Sequence, residues 1–593
     1  MSQKIIDLAD SIYDLYYTRK YKTISRHLGM TPAQEASTRQ GFIILQIDAL
    51  AYKDLLAAME RGYMPYLTRL CRRGELKLGR WRCGVPSSTP AVQAGLMFGN
   101  SYDIPSFRWY DKQTGQPIVC RMPRHAHAVQ QRIAAGHPGI LEGGSSYVSI
   151  MDGGARLSLL TVSALNRHRF FESVRGVGFL LLFCLSPLRV GRVIGLSLWE
   201  YLRDMGVGAW RSLRARKLSR PQPLHSLSQV VINVVFREIQ TFACMLDIYR
   251  GVPAIYTNYY GHDEAAHHFG STSPEALRVL KGIDAQIRQI DHIRRKHQRR
   301  RYDLYILSDH GMTPSQPFRE AFGCSLAEFI AQATGREVWD EPPGEAEGTA
   351  SVAQTRLILE ELESIEANLS PHGAHIVRAT RRYLAARTPP LWSGDWDLSR
   401  RKDIVVRSSG SLAHVYFNVT PRPMELSEIA LVYPALLPPL LRHPGLGLVI
   451  GRQGEDVVVM GHRGTLTLSS QPRVRGEDPL ATLADAPLAA EELGRLARFP
   501  HSGDLILFGA WEPDPPQRVI TFENQVASHG GLGGEQLYPF ICYASVLQDR
   551  RHEELNPEEL INPRKLYAFF RRTYYDSREE SQTTQGGTVP RKE

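Results

Sequence analysis

Three apolar runs dominate the hydrophobic pattern, at 41–48 (GFIILQID), 253–258 (PAIYTN) and 302–308 (YDLYILS), with weaker ones at 413–419 and 504–508. They are continuous rather than alternating, as expected of strands buried on both faces of a parallel sheet. Helical periodicity follows some of them, most clearly over 274–299, and strands alternating with helices predict a layered α/β core. In such cores ligands gather at the carboxyl ends of the strands. The first run ends on a carboxylate, Asp48.

Two stretches interrupt this pattern. Residues 151–220 hold twelve Arg or Lys against four Asp or Glu, most of the excess in a chain of net charge +10. Within that stretch lie VGFLLLFCLSPL (177–188) and the basic run RSLRARKLSR (211–220). Pro187, Arg189 and Arg192 break it before a full membrane span could form. Flanking Trp199 and Trp210 suit an interfacial segment, so 176–220 is expected either to rest on an anionic membrane surface or to form a buried cap helix with a solvated basic face. The second interruption, 341–400, is rich in Glu, Ala and Pro and reads as a surface insertion. The expected order is an N-terminal helical extension (1–40), core (41–150), a basic, apolar cap insertion (151–250), core (251–320), a surface insertion (321–400), core (401–545), and a C-terminal helix with a disordered tail (546–593).

Composition is ordinary for a globular protein, with 43% hydrophobic and 22% charged residues among 593. Seven scattered cysteines without C-x-x-C spacing point to a reducing compartment. The first 40 residues lack the features of a secretory signal, so the expected location is the cytoplasm, with peripheral attachment at the inner face of the membrane as the alternative. The basic cluster has little aromatic interleaving and no nucleic-acid-binding motif, so specific nucleic-acid binding is not expected.

Metal-ligating residue types stand where strands end. In PSSTP (86–90), Thr89 precedes an apolar helical stretch, where free N–H groups and the helix dipole favour a phosphate or an alkoxide. Alone it would read as a helix N-cap. In GHDEAAHHFG (261–270), Asp263 and His267 are four apart and share a helix face, so both can reach one cation. In SDHGM (308–312), Asp309 and His310 close a buried strand, and Gly311 permits a tight bend. His529 sits in a glycine-rich loop, ASHGGLGG.

Taken together, Asp48, Thr89 before a helix, Asp263-x-x-x-His267-x-x-Gly270, Asp309-His310-Gly311 and His529-Gly530 resemble the type I phosphodiesterase/nucleotide pyrophosphatase family of the alkaline phosphatase superfamily. The resemblance implies a three-layer α/β/α core with a largely parallel sheet and inserted caps. It also implies two Zn²⁺ ions, with Mn²⁺ as an alternative: one held by Asp48, Asp309 and His310 beside Thr89, the other by Asp263, His267 and His529. Thr89 would attack phosphorus to form a phosphothreonine that water then hydrolyses. The substrate would be a phosphodiester or pyrophosphate, a lipid or a nucleotide among the options.

The chain departs from the family pattern in one place. After Gly99 the family carries a His-Gly-Ile stretch and an Asn that binds a phosphate oxygen; here Pro105-Ser106-Phe107 and Tyr110 occupy those places. Arg108, Lys112 and Asn100 are the candidate substitutes. Thr89 is followed by Pro90-Ala-Val-Gln without the Arg of a sulfatase, which disfavours sulfate esters. A phosphomonoesterase or phosphotransferase of the same superfamily, or an inert membrane-surface scaffold, are the alternative functions.

Overall fold

A computed structural model of the chain describes residues 40–165, 190–199, 231–296, 299–340, 403–544 and 555–576, with isolated positions within 202–206 and 359–382. Nearly all of the N-terminal extension, the apolar run 177–188, most of 341–400 and the tail from 577 lie outside the described residues.

The three strong apolar runs form adjacent strands: β1 (Gly41–Ile47), β2 (Ala254–Tyr259) and β3 (Tyr302–Leu307). The sheet has seven strands, in the order Leu76–Arg80, Phe540–Ala544, β3, β1, β2, Ser145–Tyr147, Leu157–Leu159. The five from β3 to Leu157–Leu159 are parallel, and Phe540–Ala544 runs against both its neighbours. Every residue of β1, β2 and β3 is buried, which is why no polar alternation marks them.

Helices cover both faces. Phe42 packs against the tilted rings of Phe570 and Tyr574, and Gln93 donates to the Tyr256 hydroxyl, so α1 (Thr89–Phe98) and the C-terminal helix Pro563–Arg571 lie on the face that carries Phe42 and Tyr256. On the opposite face Thr241, from the helix Arg237–Arg250, meets the Tyr259 hydroxyl at 3.0 Å. The long helix Pro274–Lys296 packs beside that helix, and its Asp284 accepts from the first backbone N–H groups of the helix Pro65–Arg72. This is the layered α/β core with a largely parallel sheet that the pattern predicts.

The weaker runs belong elsewhere. Leu412–Phe417 and Leu505–Gly509 are neighbours in a second sheet of eight strands, antiparallel apart from its first pair. It carries a smaller core around Phe417, Leu440 and Leu507. Short apolar strands look alike in either setting, so the run itself does not disclose the direction of its partner. Among the described residues no helix is long and apolar enough to cross a membrane.

Candidate metal centre

Strand register assembles the site. Gln46 of β1 lies level with Asn258 of β2 and Leu307 of β3, so Asp48 and Asp309, each two residues further on, emerge at the same carboxyl edge. Helix α2 (Gly261–Phe269) begins just past β2 and carries Asp263 and His267 on one face, with His267 Nε2 3.2 Å from Asp263 Oδ1. His529 arrives from far along the chain because the short strand Ala527–Ser528 pairs with Thr313–Pro317, just after Asp309-His310-Gly311. Gly530 is required in this loop: its φ is +99°, and a Cβ there would lie 2.3 Å from the Ser409 carbonyl oxygen. Gly311 has a different reason, since a Cβ would meet the Glu535 carbonyl at 2.2 Å; close approach, not a special φ, demands it.

All six candidate ligands fall into two groups, Asp48/Asp309/His310 and Asp263/His267/His529, each with its ligand atoms within 4.8 Å of one another. Thr89 is the first residue of α1 and Ser88 takes the cap position, so the Thr89 hydroxyl is not spent on capping. Instead its Oγ1 stands 3.4 Å from Asp48 Oδ1 and 3.3 Å from His310 Nε2.

The surroundings prepare the ligands. His267 Nδ1 meets the Ala527 carbonyl at 2.9 Å, His529 Nδ1 the Ser87 carbonyl at 2.9 Å, and His310 Nδ1 the Gly311 carbonyl at 3.1 Å. A carbonyl only accepts, so each Nδ1 carries a proton and each Nε2 is left facing the site, that of His267 beside Asp263, whose carboxylate raises its pKa despite burial. Asn258 donates to Asp48 Oδ2 at 2.6 Å and orients that carboxylate. Sequence reasoning missed Asn258, although an Asn inside an otherwise apolar strand was the available signal. His262 is not a ligand; its ring is taken by the Asp48 and Ser271 carbonyls. His268 pairs with Glu264 at 3.5 Å.

Electrostatics favour a cation in both groups. Burial, together with the carboxylates of Asp309 and Asp263, pushes Asp48 well above the usual carboxyl range, and burial carries Asp309 up to about 7. Burial also holds His310 neutral and takes His529 down to about 4, the neutral form that a ligand must have. Asp263 stays ionised because the imidazoles of His267 and His529 outweigh its burial. Asp263 Oδ1 and Asp309 Oδ2 are buried without a hydrogen bond, one in each group. Buried carboxylate oxygens beside inward-facing imidazole nitrogens fit a divalent cation with oxygen and nitrogen ligands, Zn²⁺ or Mn²⁺.

The site opens into a cavity of about 650 Å³, whose walls include Thr89, Asp263, His267, His529, Phe107 and Arg121. Of the proposed substitutes for the absent Asn, Arg108 lines this cavity but pairs with Glu523 at 2.8 Å. Lys112 is consumed by Asp504 at 2.9 Å, and Asn100 caps the loop at Tyr102. Arg121, which no sequence signal singled out, faces the cavity.

The type I phosphodiesterase / nucleotide pyrophosphatase family model matches residues 225–407, a span that includes Asp263, His267, Asp309 and His310. No curated protein matches the chain. Among solved structures, phosphonoacetate hydrolase from Sinorhizobium meliloti 1021, in complex with phosphonoformate, is similar at 15% identity and a TM-score of 0.44, covering 90% of this chain and 96% of that one. Murine ectonucleotide pyrophosphatase / phosphodiesterase 5, an inactive form in complex with AMP, is similar at 10% identity and a TM-score of 0.39, covering 90% and 94%.

Proposed function

We propose that this chain, whose residues 225–407 match the type I phosphodiesterase/nucleotide pyrophosphatase family model, is a hydrolase that cleaves a phosphodiester or pyrophosphate bond by two displacements at phosphorus, with Thr89 as nucleophile. The observation that carries this reading is the Thr89 hydroxyl, freed from capping and held between Asp48 and His310 at the wall of a substrate-sized cavity. In the first displacement the bond from Thr89 Oγ to phosphorus forms as the bond to the leaving oxygen breaks. Water then attacks the same phosphorus, the bond to Thr89 breaks, and the hydroxyl is regenerated. The amino end of α1 adds its dipole to the negative charge that develops there.

Asp48, Asp309 and His310 would hold one divalent cation and Asp263, His267 and His529 another, zinc first and manganese as the alternative. Such ions supply Lewis-acid stabilisation of charge on the phosphoryl oxygens and a more acidic hydroxyl or water. The protein's own part is to present lone pairs from carbonyl-anchored imidazoles, to orient Asp48 through Asn258, and to keep the nucleophile beside both.

A second reading concerns location. We infer that the basic segment rests at an anionic membrane surface on the cytoplasmic side, supported by the exposed apolar side chains Ile194, Leu198, Trp199 and Leu202. Sedimentation with phosphatidylserine vesicles that falls with added salt is the expected result; equal recovery with neutral vesicles would refute it.

Turnover of bis(p-nitrophenyl) phosphate by the zinc-supplemented protein, beside p-nitrophenyl phosphate, tests the activity. Diester cleavage faster than monoester cleavage is expected. Monoester preference would move the assignment to a phosphomonoesterase.

A further inference from the structure

Four arginines line the cavity: Arg108, Arg121, Arg319 and Arg407. Arg108 is neutralised by Glu523, and Arg319 by Glu328 at 2.7 Å, while Arg407 lies over the Trp339 ring at 4.1 Å. Arg121 differs. Among the described residues no carboxylate comes within ion-pairing distance of it and no hydrogen bond engages it; its guanidinium sits 4.9 Å from the centre of the Phe107 ring.

This placement is built. Cys120 N–H donates to the Phe107 carbonyl at 3.2 Å, and Phe107 N–H donates to Ser409 Oγ at 3.2 Å, so the backbone beside Arg121 is tied to the ring on which the guanidinium lies. Arg121 also borders a small recess next to Thr89, walled mainly by Val148, Ile150, Leu160 and Val162, with Asp263 at its edge but not within ion-pairing distance of the guanidinium. Its charge reaches the centre, helping to favour the ionised forms of Asp48 and Glu264. Without a direct ion-pair partner, a guanidinium in a partly buried wall keeps its donors available to an arriving anion.

A phosphoryl group in displacement carries negative charge on its non-bridging oxygens, and two metal sites on one side leave the opposite side to be met by a donor. Resting on the hydrolase reading above, we propose that Arg121 is that donor, a planar guanidinium gripping the phosphoryl oxygens that turn away from the metal groups. A guanidinium matches two such oxygens at once, and its contact with the Phe107 ring holds it at the cavity wall before substrate enters. Arg121 thereby does with a full charge what the missing Asn would do with a neutral amide.

The test compares Arg121→Ala, Arg121→Gln and Arg121→Lys with the wild type, all zinc-loaded and all checked for an unchanged melting temperature. Two measurements are made: kcat/KM on bis(p-nitrophenyl) phosphate, and the affinity for inorganic phosphate by calorimetry on each protein in a Thr89→Ala background. Arg121→Ala should lose about 100-fold in kcat/KM, with phosphate binding weakened in parallel. Added guanidinium ion should restore activity to Arg121→Ala and leave the wild type unaffected, which a purely structural role would not produce. Wild-type kcat/KM and phosphate affinity in a stably folded Arg121→Ala would overturn the proposal. If the wild type turns over no phosphoryl ester, the hydrolase reading fails by itself; phosphate binding that still depends on Arg121 would then preserve the anion site, and phosphate binding independent of it would end both.

Discussion

The imidazoles of His310 and His529 stack face to face, their ring centroids 4.0 Å apart and their planes inclined by 21°. Each belongs to a different ligand group, so this contact joins the two groups into one centre. His529 also lies 5.1 Å from His267, ring to ring, and 3.7 Å from Asp263. A single residue from the far end of the chain therefore completes one candidate ligand group and packs against the other.

His529→Ala should remove one metal and spare the other. Metal analysis of the purified protein is expected to fall from about two ions per chain to about one, with the Asp48/Asp309/His310 group still loaded. Unchanged stoichiometry would mean that His529 is not a ligand.

Asn258 offers a finer test of the same centre. Its amide is fully buried and donates to Asp48 Oδ2 at 2.6 Å. Asn258→Leu leaves that oxygen without its donor, and outer partners of this kind typically contribute about 10–100-fold in metal affinity. Competition with a chromophoric chelator should show a loss of that size for one of the two ions.

Acid stability should depend on His414, which belongs to neither ligand group. Its ring is buried, with Nδ1 accepting from Gly503 N–H at 3.0 Å and Nε2 donating to the Pro105 carbonyl at 3.2 Å. Protonating Nδ1 would break the first bond, and burial lowers the pKa to about 4. The unfolded chain takes up this proton near pH 6.5 and the folded one only near 4. Stability is thus fully present above about 6.5 and falls as the pH drops towards 4, by roughly 3 kcal/mol. In His414→Gln, whose amide can accept and donate in the same two directions, urea denaturation at pH 7.5 and 4.5 should show a smaller acid loss than in the wild type.

The nucleophile helix is held from behind by the C-terminal helix. A Cβ at Gly95 would lie 2.8 Å from Pro563 Cγ, a ring carbon that cannot swing aside. Gly95→Ala should therefore destabilise the fold by about 1–3 kcal/mol, read as a lower midpoint in denaturant. A neutral or stabilising effect would show that the two helices separate freely.

Much of the centre was legible because its signals are local. Asp48 and Asp309-His310 end apolar strands, and Asp263 and His267 are one helical turn apart, so each pair can be read without knowing the fold. His529 had no such signal of its own: its place depends on the pairing of Ala527–Ser528 with Thr313–Pro317, and only the family resemblance pointed to it. Arg121 was illegible for a related reason. Next to Arg108 and Lys112 it looks like one more surface cation, and what sets it apart is that Glu523 and Asp504, far along the chain, neutralise the other two. The antiparallel second sheet was hidden because a short buried strand carries no mark of its partner's direction.

The central claim is that Thr89 takes the phosphoryl group. Mass spectrometry of the zinc-loaded protein, quenched in acid during turnover of bis(p-nitrophenyl) phosphate and digested, tests it most directly, with a Thr89→Ala variant of unchanged metal content run beside it. The account predicts a phosphoryl adduct on the peptide bearing Thr89, and in the variant neither adduct nor turnover. Full turnover by Thr89→Ala with its metals in place would contradict it.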